Sequence, residues 1–178
     1  VENTSAYVKK GLKMKMKRGE LVGFQGCLGY DYDVATKSIS INEEGAEVVR
    51  YIFDRYVAGA GSSMIARELN EQGITTIRGN SWTSSSVMGI INNEKYKGDA
   101  LLQKSYTVDF LTKKRTQNKG EIQMFYVEDD HDAIISKWIW ECVQLEIKRR
   151  KKYLEEHGTN SYSHRPESNP FASKIICG

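Results

Sequence analysis

The segment 62–93 constrains the fold more than any other part of the chain, because it carries start and stop signals for two helices. Ser62 is the expected start of the first helix. The expected inward side chains of this helix are apolar: Ile65, Ala66 and Leu69. Gly73 followed by Ile74 predicts a Schellman ending, in which the Ile74 side chain packs back on Leu69.

Thr83 predicts the start of the second helix, since a threonine at an N-cap accepts a hydrogen bond from the first turn. Trp82 and Val87 stand at the two positions of a hydrophobic staple. The side chains expected in the core are Val87, Ile90 and Ile91, and Asn92-Asn93 ends the helix. The two helices form a helix–loop–helix unit whose connection is longer than that of the DNA-binding helix-turn-helix motif.

Two runs downstream predict a β-hairpin after the second helix. They are "GDALLQKSY" and "EIQMFYVED", and they bracket a long basic loop, Thr107 to Gly120. A hairpin that follows a helix-turn-helix is the arrangement of a winged helix, with the loop as its wing. A long helix is then expected from a Ser136 cap to about His157.

Three further elements are expected upstream. A helix over 5–18 has an apolar stripe of Val8, Leu12 and Met16 beside a stripe of lysines, and Gly19 is its expected C-cap. The stretch "LGYDYDVATKSISI" predicts a small hairpin that turns at 35–37. Asn42 caps a helix that stops at Gly59, with an apolar face of Ala46, Val49, Ile52, Phe53, Tyr56 and Val57. The sequence therefore predicts an α+β fold, mostly helical, with a winged-helix-like core, small β-hairpins and a long C-terminal helix.

Charge is segregated along the chain although the net charge is only +3. Cations cluster in the first helix, in the 107–120 loop and in "KRRKK" (148–152), while acids gather elsewhere. Separate basic surfaces favour a polyanionic partner. Charge runs are also common on solvated faces, and charge alone does not decide between the two interpretations.

The start of the second helix adds a specific reason to expect DNA. Backbone N–H groups at a helix N-terminus bind anions, hydroxyl side chains donate to phosphate oxygens, and arginine reads a guanine edge or a narrow minor groove. The alternative is ordinary capping with exposed serines as filler. The candidate DNA-binding residues here are Arg78, Asn80, Ser81, Thr83, Ser84, Ser85 and Ser86. The candidate phosphate-binding cations are Lys9, Lys13, Lys17 and Arg18 in the first helix, with Lys104, Lys113, Lys114 and Arg115 around the wing.

Catalytic and metal-binding patterns are weak. The three histidines have no ligand partners at metal spacing, and His131 in "EDDHDAIIS" is expected to be hydrogen-bonded at the foot of a helix. The odd, scattered cysteines favour a reducing compartment, and Cys177 is a possible first ligand of a metal knuckle. The three tryptophans are expected in the core or in staples: Trp82, Trp138 and Trp140. No apolar run approaches the roughly 18 residues of a membrane-spanning helix, so we expect a cytoplasmic DNA-binding protein without a membrane partner.

From Gly29 onward the order of motifs resembles the recombinase domain of large serine recombinases, the serine integrases and transposon resolvases of phages and mobile elements. The matching pieces run from Gly29-Tyr30 through "VVRYIFDRYVAG", "IARELNEQGITT", "GNSW", "IINNEKYKG" and "HDAIIS". Two departures are that Cys27-Leu28 precedes the Gly-Tyr turn where the family usually has a proline, and that Glu94 stands where a proline is common.

The resemblance implies a division of the chain and of the work. Residues 1–24 resemble the helix that links to a catalytic domain, 25–157 the DNA-binding domain, and 158–178 a linker to a zinc ribbon. It implies that the catalytic serine and the zinc belong to a longer protein, which assembles as a dimer or tetramer, and that this piece needs no cofactor and is no enzyme by itself. The implied function is recognition of half of a DNA attachment site. The rivals are a winged-helix transcriptional regulator and a helical protein-interaction module built on the 136–157 helix.

Overall fold

The structure, a computed structural model, describes residues 2–18, 24, 26–108 and 114–157, without the side chains of 2–6 and 9. The chain forms two compact units, residues 1–143 and 144–178. The second unit is described through 144–157 only, and those residues are helical. The predicted C-cap Gly19 lies outside the described residues.

The described elements confirm the predicted fold class, α+β and mostly helical. The helices are α1 (Glu2–Lys17), α2 (Glu43–Val57), α3 (Ser62–Glu71), α4 (Ser84–Ile91) and α5 (Lys137–His157), with a short 3-10 helix at Glu94–Lys97. The strands are β1 (Tyr30–Tyr32), β2 (Ile39–Ile41), β3 (Ala100–Leu102), β4 (Ser105–Thr107), β5 (Arg115–Gln117) and β6 (Phe125–Val127). They pair as three antiparallel hairpins, β1–β2, β3–β6 and β4–β5.

The predicted start of α2 is confirmed, because the Asn42 side chain accepts a hydrogen bond from the Gly45 N–H at 3.1 Å. Five of the six predicted inward residues are buried: Ala46, Val49, Ile52, Phe53 and Tyr56. The sixth, Val57, is 50% exposed, so its predicted place in the core was wrong. It occupies the last turn, where the helix leaves the core before the left-handed Gly59.

The Schellman ending of α3 is confirmed. The Ile74 N–H donates to the Leu69 carbonyl and the Gly73 N–H to the Asn70 carbonyl, each at 3.0 Å, while Gly73 has a left-handed φ of 72°. The N-cap of α3 is Gly61, and Ser62 is the first helical residue. On α4, Val87 and Ile91 are buried, whereas Ile90 is only half-buried, so its predicted place in the core was partly wrong.

The predicted wing is built differently from a single loop. Gln103 has a left-handed φ of 67°, which separates β3 from β4, so the chain forms a second hairpin, β4–β5, beyond the β3–β6 pair. The predicted loop 107–120 therefore contains strand β5. The buried side chain of Asn118 holds the junction: Nδ2 donates to the carbonyls of Gln103 (2.9 Å) and Ile122 (2.6 Å), and Oδ1 accepts from two backbone N–H groups.

His131 lies at the foot of α5 in the hydrogen-bonded role that was predicted for it. Its Nε2 lies 2.7 Å from the Lys95 carbonyl and its Nδ1 lies 3.0 Å from the Asp130 carboxylate, while its ring packs edge-on against Phe24 and Tyr30. The Ser136 cap is confirmed, since its Oγ accepts from the Ile139 N–H at 3.3 Å.

The expected core or staple position of Trp138 was wrong, since its side chain is 71% exposed on α5. On α1 the predicted apolar stripe is largely exposed, with Val8 at 57% and Leu12 at 38%. Spacing predicts such a stripe, but it defines a helix face without stating that another element covers it.

Candidate nucleic-acid interface

The connection between α3 and α4 ends in a closed, rigid loop over residues 76–80. The Thr76 N–H donates to the Asn80 carbonyl at 2.9 Å, and the Gly79 N–H donates to the Thr76 carbonyl at 2.8 Å. The Thr76 hydroxyl donates to the Asn80 carbonyl and accepts from the Asn80 N–H. The tip therefore presents Ile77 and Arg78 to solvent in a fixed backbone conformation.

Asn70 clamps the other end of this connection to α3. Its Oδ1 accepts from the Trp82 N–H at 2.7 Å, and its Nδ2 donates to the Trp82 carbonyl at 2.9 Å. The Trp82 side chain is buried, as predicted for a staple. This two-point clamp fixes where the chain enters α4.

Most hydroxyls at the start of α4 are engaged within the protein. Thr83 and Ser86 form a reciprocal capping box: the Ser86 N–H donates to the Thr83 hydroxyl and the Thr83 N–H donates to the Ser86 hydroxyl. The Ser84 hydroxyl shares a 2.7 Å hydrogen bond with that of Ser62. Within the described part of the chain, the Ser85 hydroxyl alone among the four has no hydrogen bond.

One face of α4 carries only small or uncharged side chains. Ser85, Met88, Gly89 and Asn92 follow one another at i, i+3, i+4 and i+7, and all are exposed or half-exposed. A Cβ placed on Gly89 would meet no heavy atom within 4 Å. Another molecule can therefore approach the α4 backbone closely along this face.

A first cleft of about 560 Å³ lies between residues 26–28, the 76–82 connection and α4. The structure brings five of the predicted DNA-binding residues together along it: Arg78, Asn80, Ser81, Thr83 and Ser86. The cleft is lined by apolar side chains as well, including Ile77 and Ile90. Lys95, which the sequence analysis did not single out, lines its far end.

A second cleft of about 790 Å³ lies on the other side of α4, bounded by the β3–β5 strands and α1. Four cations line it, and no carboxylate does so among the described residues: Lys13, Lys95, Lys104 and Arg115. The Lys104 ammonium lies 2.6 Å from the Glu94 carboxylate, which is itself nearly buried and also accepts from the Leu101 N–H. Lys104 is therefore partly neutralised by Glu94.

The remaining predicted cations line neither cleft. Lys17 and Arg18 are exposed at the end of α1, and Lys114 is exposed just before β5. Lys113 and the side chain of Lys9 lie outside the described part of the chain, as does Cys177. Among the described residues, no group of three or more His, Cys, Asp or Glu side chains could hold a metal ion. No described helix is long and apolar enough to cross a membrane.

A family model described as Recombinase matches residues 43–150, which is more than half of the chain. The chain belongs to the Recombinase family. A putative DNA recombinase of Bacillus subtilis (strain 168) is 28% identical to it over 152 residues, which are 80% of this chain and 30% of that protein. This Recombinase domain thus spans less than a third of the curated relative that it matches.

Two solved structures share the fold of this Recombinase chain. The crystal structure of an LSR–DNA complex superimposes with a TM-score of 0.57 at 19% identity, covering 93% of this chain and 43% of that one. A structure concerned with the sequence requirements of the Listeria innocua prophage attP site gives a TM-score of 0.54 at 20% identity, covering 80% of this chain and 52% of that one.

Three residues at the candidate interface of this Recombinase chain were not predicted from the sequence. Asn70 forms two hydrogen bonds with Trp82, twelve positions away, so only the tertiary structure reveals its role. Gly89 was predicted only as part of the helix, although a glycine inside a short helix is a detectable signal. Lys95 stands between one acid and one tyrosine in "NNEKYKG", and no pattern of charge or spacing distinguishes it there.

Proposed function

We propose that this chain is the DNA-binding part of a site-specific serine recombinase and that it binds double-stranded DNA at one half of an attachment site. The observation that carries the proposal is the uncharged α4 face of Ser85, Met88, Gly89 and Asn92, flanked on both sides by clefts lined with cations. Family membership supports it, as do the relative named as a DNA recombinase and the fold shared with an LSR–DNA complex.

In this proposal α4 lies in the major groove with its N-terminal end foremost. Ser85, Asn80 and Arg78 are available for base edges or nearby phosphates, since they are exposed and bound to no described carboxylate. Thr83 and Ser86 already satisfy each other, so their part is to hold the helix end, whose first N–H groups point outward. The β4–β5 hairpin contacts the DNA backbone through Lys114 and Arg115, and α1 follows a phosphate ridge.

The activity of the whole protein is part of the same proposal. The resemblance assigns strand cleavage by a catalytic serine, zinc binding and assembly as a dimer or tetramer to a longer protein in the bacterial or phage-infected cytoplasm. Cys177 is then a first zinc ligand.

The test is a salt titration of binding to a pool of random duplexes, followed by sequencing of the bound fraction. We expect affinity to fall steeply with salt and one motif of about half-site length to be enriched. Arg78→Ala is expected to relax base preference. The pair Lys114→Gln and Arg115→Gln is expected to weaken binding to every sequence and to reduce the salt slope by about two ions.

The matched control is the pair Lys151→Gln and Lys152→Gln, which also removes two positive charges. These lysines lie 3.8 and 3.6 Å from Glu155 and Glu156 on the same helix, so their removal also releases two acids. Equal losses in the two pairs would show that net charge alone drives binding. No binding by the parent at low salt would overturn the DNA proposal and favour the protein-interaction module.

A further inference from the structure

The backbone of Lys95 is fixed by the core of the domain. Its carbonyl oxygen accepts hydrogen bonds from the Tyr30 hydroxyl (3.1 Å), from His131 Nε2 (2.7 Å) and from the Gly98 N–H (3.0 Å). The residue lies in the 3-10 helix that follows α4 and is capped by the Asn93 side chain. Its Cα therefore has little freedom, and these three hydrogen bonds involve its backbone rather than its side chain.

The ammonium of Lys95 is half-buried and has no carboxylate partner within ion-pair distance among the described residues. It lies 4.2 Å from the centroid of the Phe24 ring, a cation–π contact that leaves its hydrogen-bond donors free. Burial lowers the pKa of Lys95, and the charge of Lys104 lowers it further; interactions with Cys27, Glu94 and Asp130 act in the opposite direction without reversing the shift. The nearest acids are already engaged, Glu94 by Lys104 and Asp130 by His131.

The other two lysines between residues 94 and 104 differ from Lys95 because each has a carboxylate partner. Lys97 lies 2.9 Å from the Asp99 carboxylate, and Lys104 lies 2.6 Å from that of Glu94. Both have a counter-ion that explains their position in the folded protein. Among the described residues Lys95 has no counter-ion, and it lines both clefts that flank α4.

We infer that Lys95 is a phosphate-binding residue, which contacts the DNA backbone at the C-terminal end of α4. This inference rests on the proposed DNA-binding function and names a residue within it. The C-terminal end of a helix carries a partial negative charge and disfavours phosphates. A strand that follows α4 along its whole length therefore needs a cation at that end. Lys95 supplies one whose backbone is already ordered and whose ammonium is already partly dehydrated.

The experiment compares the 178-residue chain with Lys95→Met, Lys95→Arg and Lys37→Met in salt titrations on an enriched duplex and on a random duplex. Lys37→Met is the matched control, because it removes the same charge from an exposed turn that lines neither cleft. Lys95→Met is expected to weaken binding to both duplexes by about tenfold at low salt and to reduce the salt slope by about one ion. Lys95→Arg is expected to restore most of the affinity, and Lys37→Met to change little.

The outcomes separate this inference from the proposed function. If Lys95→Met binds both duplexes with the affinity and salt slope of the parent, Lys95 contacts no phosphate. If it loses affinity without a change in salt slope, its role is structural and the inference is wrong. Lys95→Gln, which keeps a polar end, replaces Lys95→Met if that variant melts earlier than the parent. If the parent itself binds no DNA, the proposed function fails first, and this inference with it.

Discussion

Replacement of Gly89 by alanine is expected to make the protein more stable and its DNA binding weaker. Glycine inside a helix costs about 0.5–1 kcal/mol relative to alanine, because the unfolded chain loses more conformational freedom when it orders. Gly89 lies in the interior of α4, and an added Cβ would have no heavy atom within 4 Å. The free protein therefore gains nothing from this glycine. A face that closely approaches another molecule would explain it.

The expected gain in stability follows from the low helix propensity of glycine and from the open space around Gly89. Gly89→Ala is expected to raise the free energy of unfolding by about 0.5–1 kcal/mol, or the melting temperature by roughly 1–4 °C. Gly89→Gln is expected to give part of this gain. Affinity for the enriched duplex is expected to fall in the order glycine, alanine, glutamine, because each step holds the helix backbone further from the groove.

Urea denaturation followed by circular dichroism measures the first effect, and duplex titration measures the second. Gly11→Ala is the matched control for helix propensity, since Gly11 lies inside α1 and also has no neighbour within 4 Å of an added Cβ. A loss of stability in Gly89→Ala would show that the α4 face is not free. Unchanged or tighter DNA binding by Gly89→Gln would refute the close approach of DNA along this face.

Two further predictions concern the buried polar side chains of Asn118 and Asp99. Asn118→Ala removes four side-chain hydrogen bonds at a buried position and is expected to lower the free energy of unfolding, measured by urea denaturation, by about 2–3 kcal/mol. The control is Gln117→Ala on the exposed face of β5, which is expected to change the free energy of unfolding by no more than about 0.5 kcal/mol. Burial alone would raise the pKa of Asp99, but hydrogen bonds from Tyr126 and the Asp129 N–H and the Lys97 ammonium hold it at about 2, below the ordinary 3.8. The ionised Asp99 therefore stabilises the fold above about pH 4, and about 1–2 kcal/mol of this stabilisation is expected to be lost as the pH falls from 4 toward 2. Asp99→Asn should remove this part of the acid sensitivity. Equal loss of stability with falling pH in the parent and in Asp99→Asn would contradict this role of Asp99.

The features that the sequence predicted well are those decided within one or two helical turns. Asn42 and Thr83 cap their helices, and Gly73 with Ile74 ends α3, because each motif is completed by residues close by in the chain. The break at Gln103 was not predictable in this way. Its left-handed backbone is stabilised by Asn118, a partner fifteen residues away, and glutamine is not a residue that signals a turn.

At the candidate site, too, contacts between residues far apart in the chain could not be predicted from the sequence. The hydroxyls of α4 were correctly placed at the helix start, but their hydrogen bonds depend on Ser62 and on the capping geometry, which only the folded chain defines. Exposure was the least predictable property. Val57 was expected inside from the apolar face of its helix, and Trp138 was expected in the core or in a staple, whereas no described element covers either side chain.

The distribution of counter-ions changes how the basic clusters should be weighed. In the second unit, Arg149 and Arg150 both bind the Glu146 carboxylate, at 2.7 and 2.6 Å. Together with the pairs that Lys151 and Lys152 form, four of the five cations in "KRRKK" have an acidic neighbour on their own helix. Such exposed pairs add little stability, yet the acids lower the positive potential that a phosphate would meet.

The clefts beside α4 have the opposite composition. The second cleft has no carboxylate among its described lining residues. Lys95 lines both clefts, and no carboxylate in the described part of the chain lies within ion-pair distance of it. A polyanion is attracted most strongly where cations lack acidic neighbours and where binding does not first require an ion pair to separate. The cluster that looks most basic in the sequence is therefore a weaker candidate for DNA contact than a single lysine in a segment with little net charge.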